Sequence, residues 1–303
     1  MSTNIFENIA DKQELSLADF RKLSQAIYKA CGISLPDGKR ILVEGRIKKR
    51  VRKVGMNHID DYFKYLFSPE GLKNELIPLI DVITTNKTDF FRESAHFDFL
   101  VSTAFPAIQK SGGASIIKKK IKVWSAGCST GEEPYTLAIV LNEYFQDDLV
   151  KPFTIYASDI STEVLHKAKL GVYGLDDIDV IPLHLKKKYF LKSRDRSENI
   201  VRVVPELRAQ VQYMRINLID MNYDVPEKMD IIFCRNVLIY FDKQTQEQVI
   251  NNLCRYLNPG GYLLLGHSET ITGFKLPLQR AASTVYQKIE VESYGKKNQS
   301  TNC

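Results

Sequence analysis

Ile121–Ala126 (I-K-V-W-S-A) is an apolar run that empties into G-C-S-T-G-E-E-P-Y, Gly127 to Tyr135. A strand, a turn of small residues and a helix from Glu132 make one βα unit of a parallel sheet, with a ligand crevice at the strand's carboxyl end. Gly127, Ser129 and Gly131 occupy the small positions and let backbone approach a ligand closely. Glu132 and Glu133 then open the helix. Negative charge suits that end of a helix, but it repels a pyrophosphate placed there. A cationic ligand fits instead. S-adenosylmethionine carries an ammonium and a sulfonium and no phosphate, so the loop favours it over NAD, FAD or ATP. Taken alone, the loop is equally well read as a tight turn whose acids only complement the helix end.

The chain around this unit alternates strand-like and helix-like runs, the pattern of a parallel α/β sheet. Strands are expected at Phe153–Ser158, Val211–Asn217, Asp230–Cys234 and Tyr262–Gly266, and helices at Glu132–Tyr144, Thr162–Lys169 and from Asp242 to the Asn258-Pro259-Gly260-Gly261 turn. Runs near Phe274–Arg280 and Thr284–Ile289 would close the sheet as a hairpin. The stretch from Gly171 to about Gln210 breaks the alternation with Pro182, Pro205 and the charged run Lys192–Asn199. It reads as an inserted antiparallel unit, residues 171–210, with a polar tip.

The first part reads differently. Leu17, Phe20, Leu23, Ile27 and Tyr28 recur at helical spacing, between a Ser16 cap and a Gly32 stop. A second helix, Lys39–Val54, has Ile47, Val51 and Val54 on one stripe, and Lys39, Arg40, Arg46, Lys48, Lys49, Arg50, Arg52 and Lys53 on its other faces. A third covers Ile59–Phe67, and a fourth runs from about Gly71 to Ile83. The expected organisation is an all-α domain at 8–80, an α/β domain at 81–290 and a disordered tail at 291–303.

At 303 residues the chain has room for one large or two modest domains. Its formal charge of +6 is mild and does not demand nucleic acid. Five scattered cysteines without a C-x-x-C pair indicate free thiols and no metal site. The N-terminus has no signal-peptide pattern and no apolar run reaches membrane-spanning length, which points to a cytoplasmic protein.

Further candidate ligand groups sit at strand ends. Asp159 follows the second strand, where an acid accepts hydrogen bonds from ribose hydroxyls; it would serve equally as a helix cap. Asn217 could hold an adenine edge or make an Asx turn. In a doubly wound sheet the strand Asp230–Cys234 lies beside the first, which puts Arg235, Asn236 and Tyr240 near the ligand; for Tyr240, periodicity alone favours a packed aromatic before the helix. His267, Ser268 and Glu269 read as exposed loop. The run Thr84–Phe97 mixes donors (Asn86, Thr88, Arg92) with aromatics and could be an amphipathic linker helix.

Together these runs closely resemble the CheR-type chemotaxis receptor methyltransferases. The matching segments are T-T-N-K-T-D-F-F-R-E at Thr84, W-S-A-G-C-S-T-G-E-E-P-Y at Trp124, A-S-D-I-S-T-E-V-L at Ala157, F-C-R-N-V-L-I-Y-F-D at Phe233 and P-G-G-Y-L-L-L-G-H-S-E at Pro259. They keep the family's order over about Val82–Glu269. Gly127-Cys128 stands where that family often has alanines. The resemblance implies a Rossmann-like methyltransferase sheet with a small inserted β-subdomain behind an N-terminal all-α domain. It implies S-adenosylmethionine-dependent methylation of receptor glutamates, giving methyl esters and S-adenosylhomocysteine. Asn86, Thr88, Arg92, Gly127, an acid of the pair Glu132 and Glu133, Asp159, Asn217, Leu218, Arg235 and Asn236 would form the cofactor site, and Arg92 and Tyr240 would act at methyl transfer. The basic helix would dock on the receptor's acidic methylation region, so reversing Arg46 and Arg50 should weaken receptor binding. The inserted unit could hold a receptor tail. The alternatives are a methyltransferase for another substrate and a non-catalytic cofactor-binding adaptor.

Overall fold

The computed structural model describes residues 14–84, 86–111, 120–195 and 197–289. Residues 8–13 and the tail expected at 291–303 lie outside them. The chain divides into two compact units, Met1–Thr85 and Asn86–Cys303.

The first unit is helical: α1 (Leu17–Cys31), α2 (Arg40–Lys53), α3 (Ile59–Leu66), α4 (Pro69–Asn74) and α5 (Leu76–Ile83). Ser16 caps α1 by accepting from Asp19 N, and Gly32 ends it at φ 73°. The single helix expected from Gly71 to Ile83 is two. Pro78 has no N–H for the Asn74 carbonyl and would clash with it in a continuous helix, so the chain restarts at Leu76.

In α2 the buried stripe is Val43, Ile47 and Val51, while Val54 is half-buried at the C-cap. The basic residues do not all face outward. Arg40 donates to Leu15 O at 2.6 Å, Arg46 to the carbonyls of Ile83 and Thr84, and Arg50 to Glu75 Oε2 at 2.8 Å. Glu75 is buried and also accepts from the Tyr62 hydroxyl at 2.8 Å. Lys48 pairs with Glu44 at 3.0 Å. The exposed face of α2 carries Lys49, Arg52 and Lys53 with Ile41 and Leu42, the last two 78% and 54% exposed.

The second unit begins with α6 (Ala95–Phe99) and α7 (Phe105–Ser111), then builds a seven-stranded sheet in the order β6-β2-β1-β7-β8-β10-β9. The strands are β1 (Ile121–Ala126), β2 (Phe153–Asp159), β6 (Val211–Arg215), β7 (Met229–Cys234), β8 (Leu257–Leu265), β9 (Leu278–Ala282) and β10 (Val285–Lys288). The first five pair in parallel; β10 runs antiparallel to β8 and β9. All residues of β2 and β7 are buried, as suits central parallel strands covered on both faces. The covering helices include α8 (Glu132–Tyr144), α9 (Thr162–Leu170) and α12 (Lys243–Tyr256), the last capped by Asp242 through Thr245 N at 2.8 Å. Trp124 in β1 is fully buried and its indole donates to Ser158 Oγ in β2 at 2.9 Å.

The insertion is a second sheet in the order β3-β5-β4: β3 (Val172–Gly174), β4 (Phe190–Lys192) and β5 (Ile200–Val203), all antiparallel, with α10 (Leu183–Tyr189) before β4 and α11 (Pro205–Ala209) after β5. It is pinned to the loop after β1: the Tyr173 hydroxyl donates to Thr130 O at 2.8 Å, and Phe90 packs edge-on against Tyr173 and Phe190. Cys31, Cys128, Cys234 and Cys254 are free, buried thiols. Among the described residues no helix is long and apolar enough to cross a membrane.

Candidate active site

From β1 the chain goes left to β2 and β6 and, later, right to β7 and β8, so the crevice beyond the ends of β1 and β7 is the topological switch point. The loop after β1 lies there. Gly127, Ser129 and Gly131 take φ of 84°, 50° and 101°. At Gly127 a side chain is excluded twice: its φ is left-handed, and a Cβ would lie 2.4 Å from Val237 Cγ2 in the turn after β7. Asp159 closes the loop from β2. Its Oδ2 accepts from Ser129 N at 2.9 Å and its Oδ1 from Ser161 N at 3.0 Å. Ser161, not Asp159, caps α9.

Glu132 and Glu133 are both buried but differ in surroundings. Glu133 lies at the ends of β1 and β7, where Oε1 accepts from Ser125 Oγ at 2.6 Å and Oε2 from Arg235 Nε at 2.7 Å. Glu132 binds the Thr130 hydroxyl at 2.7 Å, with Asp177 and Asp89 nearby; burial raises its carboxyl to about 7, against the bond from Thr130.

The segment 86–94 is an irregular strap, not a linker helix. Phe91 and Glu93 have φ of 53° and 57°. Bonds that fix it over the sheet ends include Ser129 Oγ to Asn86 O at 2.8 Å, Phe91 N to Thr136 Oγ1 at 3.2 Å, Arg235 Nη1 to Arg92 O at 2.7 Å and His267 N to Glu93 Oε1 at 3.3 Å. Arg92 and Thr88 are half-buried as residues, and the Arg92 guanidinium donates to Lys87 O at 3.1 Å in an exposed bond.

Arg235, expected near the ligand, spends its guanidinium on the protein. Besides Glu133 and Arg92 O it meets Glu93 Oε2 at 3.4 Å and His96 Nδ1 at 3.2 Å, and it lies over the rings of Phe97 and Phe233. Burial, and then the Arg235 charge, lower His96 to about 4, so it is neutral and can accept that bond. Glu93, His96 and His267 bring ligand atoms within 4.8 Å of one another, but the cation already among them is Arg235.

Asn236 follows in left-handed geometry at φ 59°, and Tyr240 ends the single turn Leu238–Tyr240, half-buried. Asn217 and Leu218 lie just past β6, which the Ile216 N to Asp159 O bond of 3.1 Å ties to the end of β2. The Asn217 carbonyl accepts from Asp220 N at 3.1 Å, and the Leu218 carbonyl from the Tyr223 hydroxyl at 2.6 Å. Hydrogen bonds thus link Asn86 with Ser129 and Asp159 in one group, and Glu133 with Arg235 and Arg92 in another.

Sequence reading missed three groups. Glu269, expected in exposed loop, is buried and accepts from the backbone of Asn236, Leu238 and Gly266. Glu93 and His96 flank Arg235; their i,i+3 spacing inside the Thr84–Phe97 run was the available signal.

A parallel sheet with acids around its switch point, at the ends of β1 and β2, defines the class: a Rossmann-like, S-adenosylmethionine-dependent methyltransferase. Comparison with known proteins narrows it. The family described as CheR methyltransferase, SAM binding domain, matches residues 86–287, and CheR methyltransferase, all-alpha domain, matches residues 18–84. Relatives called chemotaxis protein methyltransferase are 40% identical in Borreliella burgdorferi (87% of this chain, 90% of the relative), 38% in Salmonella typhimurium (94% of each) and 37% in Escherichia coli (94% and 95%). The chain belongs to the CheR methyltransferase family. It is an S-adenosylmethionine-dependent methyltransferase of chemotaxis.

Proposed function

We propose that this enzyme works in the cytoplasm and methylates glutamate side chains of methyl-accepting chemotaxis receptors, giving methyl esters and S-adenosylhomocysteine. The observation that carries the reading is the placement of Glu133 at the ends of β1 and β7, one strand from Asp159. A carboxylate accepts only. Glu133 would therefore take the cofactor's ammonium and Asp159 its ribose hydroxyls. Between the two acids of the loop, Glu133 is favoured because its partners Ser125 and Arg235 set it at the ends of β1 and β7, where the chain reverses direction across the sheet. Asn86, Thr88, Gly127, Asn217, Leu218 and Asn236 would complete the cradle. Arg235 would act through its partners, holding Glu133 and the Arg92 strap.

Bound cofactor supplies a methyl group on a positively charged sulfur. The acceptor needs no activation: a free glutamate has a pKa of about 4.3 and is an anion at neutral pH. No general base is required. The protein's work is alignment, which can supply roughly 7–11 kcal/mol of the barrier, and exclusion of water from a reaction that neutralises charge. Arg92 and Tyr240 would orient the acceptor carboxylate and the cofactor's methionine end.

For the receptor's acidic methylation region, the exposed face of α2 offers Lys49, Arg52 and Lys53 beside Ile41 and Leu42. Arg46 and Arg50 are not part of this surface, because they are bonded within their own unit. The β3-β5-β4 sheet could hold a receptor tail. Tritiated methyl transfer to receptor-containing membranes tests the whole reading. Base-labile label on the receptor is expected, as for an ester; alkali-stable label, or none, would overturn it.

A further inference from the structure

We propose that Glu269 is a positioning residue for methyl transfer, whose buried carboxylate sets the turn Arg235–Tyr240 at the end of β7. The inference rests on the reading that Asn236 and Tyr240 face cofactor and acceptor.

Glu269 stands just beyond β8, the neighbour of β7 in the sheet. Its Oε2 accepts from Gly266 N at 2.6 Å and from Asn236 N at 2.9 Å; its Oε1 accepts from Leu238 N at 2.8 Å. One carboxylate thus joins the end of β8 to both sides of the turn after β7. Bonds of backbone N–H to an ionised acceptor are about twice as strong as neutral ones. The turn needs such a restraint. Asn236 is in left-handed geometry, φ 59°, which costs a non-glycine residue energy that its surroundings must supply. The turn also lies directly on Gly266: a Cβ there would be 2.6 Å from Asn236 Nδ2 and 2.9 Å from Asn236 N. Glu269 is 6% exposed, so water cannot replace it. No ligand group is implied for Glu269 itself; it acts through Asn236 and Tyr240.

A glutamine at 269 keeps the shape but has one acceptor oxygen in place of two, and it brings an NH2 group that faces backbone donors. At least one N–H of the turn then loses its partner. The test compares the full-length enzyme, Glu269→Gln, Tyr240→Phe and the double variant. The readouts are kcat and KM with receptor membranes at saturating cofactor, S-adenosylhomocysteine affinity by calorimetry, and Tm. Glu269→Gln is expected to lower kcat about tenfold or more with receptor KM within about twofold of the parent. The double variant should fall little below the worse single one, because both changes act through one turn. A merely structural role predicts otherwise: kcat within about twofold of the parent in the folded fraction, or losses that multiply. Either result overturns the proposal. A Tyr240→Phe enzyme at full rate would instead overturn the reading of Tyr240, and Glu269 is then judged by kcat and cofactor affinity of its own variant. Should Glu269→Gln not fold, Glu269→Asp keeps the charge but draws it back from the backbone N–H groups of Asn236 and Leu238 by one methylene. The same loss of kcat is expected, and a full rate in that variant would sink the proposal.

Discussion

Arg235 Nε lies 2.7 Å from Glu133 Oε2, and both side chains are almost wholly out of water, 3% and 10% exposed. Removing one partner of a buried ion pair leaves the other charged and unpaired, which costs about 3–5 kcal/mol. Arg235→Met should lower the unfolding free energy by that amount, read from a shifted denaturant transition. It should also free the strap at Arg92, whose carbonyl loses its donor. Arg235→Met combined with Glu133→Gln should recover part of the stability without recovering cofactor binding. Full stability in the single variant would show that the pair restrains nothing.

Glu132 and His96 give stability opposite pH slopes. Glu132 is raised from 4.5 to about 7 by burial, so the folded state holds its proton where the unfolded chain releases it. Its contribution is complete below about 4.5 and is lost as pH rises to about 7. His96 is lowered from 6.5 to about 4, so its contribution is complete above 6.5 and is lost as pH falls toward 4. The difference between the parent and Glu132→Gln isolates the first slope. Urea unfolding from pH 4.5 to 8 should show the parent losing stability against the variant as pH rises, by about 3 kcal/mol at most. Parallel curves would mean that Glu132 ionises as it does in the unfolded chain.

The β1 loop, Asp159 and the βα alternation were legible because each rests on local order: a short apolar run, then a turn of small residues, then a helix opened by acids. Glu269 was not, because a lone polar triplet at a strand end looks like loop until β7 and β8 are known to be neighbours. The inward arginines of α2 lay between these cases. Arg46 and Arg50 each precede a buried residue, Ile47 and Val51, so they border the stripe. Their partners, the α5 end carbonyls and Glu75, come from elsewhere in the chain. A count of charge sees eight cations on one helix and does not see which way they point.

Tyr240→Phe removes one hydroxyl and leaves the ring. If that hydroxyl orients an anionic acceptor, its loss should cost about 1.5–3 kcal/mol in the transition state, a fall of roughly 10- to 100-fold in kcat. S-adenosylhomocysteine affinity should be unchanged, since no acceptor is bound in that measurement. An unchanged kcat with weaker cofactor binding would move Tyr240 from the acceptor to the cofactor.

Two sets of charge reversals on α2 should behave differently. Lys49→Glu with Lys53→Glu changes an exposed surface, so the fold should hold and Tm should move little. Receptor KM should rise several-fold, and the difference from the parent should shrink in about 0.5 M salt, where exposed charges are screened. Cofactor affinity should not change. Arg50→Glu instead sets a second carboxylate against Glu75, whose side chain is 4% exposed. Like charges in a buried site repel, and the Tyr62 hydroxyl bonded to Glu75 offers no compensating charge. That variant should lose about 3–5 kcal/mol of stability in the helical unit, read as a lower unfolding midpoint by circular dichroism. If Arg50→Glu stayed fully folded and raised only the receptor KM, Arg50 would belong to the docking face and its bond to Glu75 would be incidental. If Lys49→Glu with Lys53→Glu left KM unchanged at low salt, the receptor would have to engage the enzyme elsewhere.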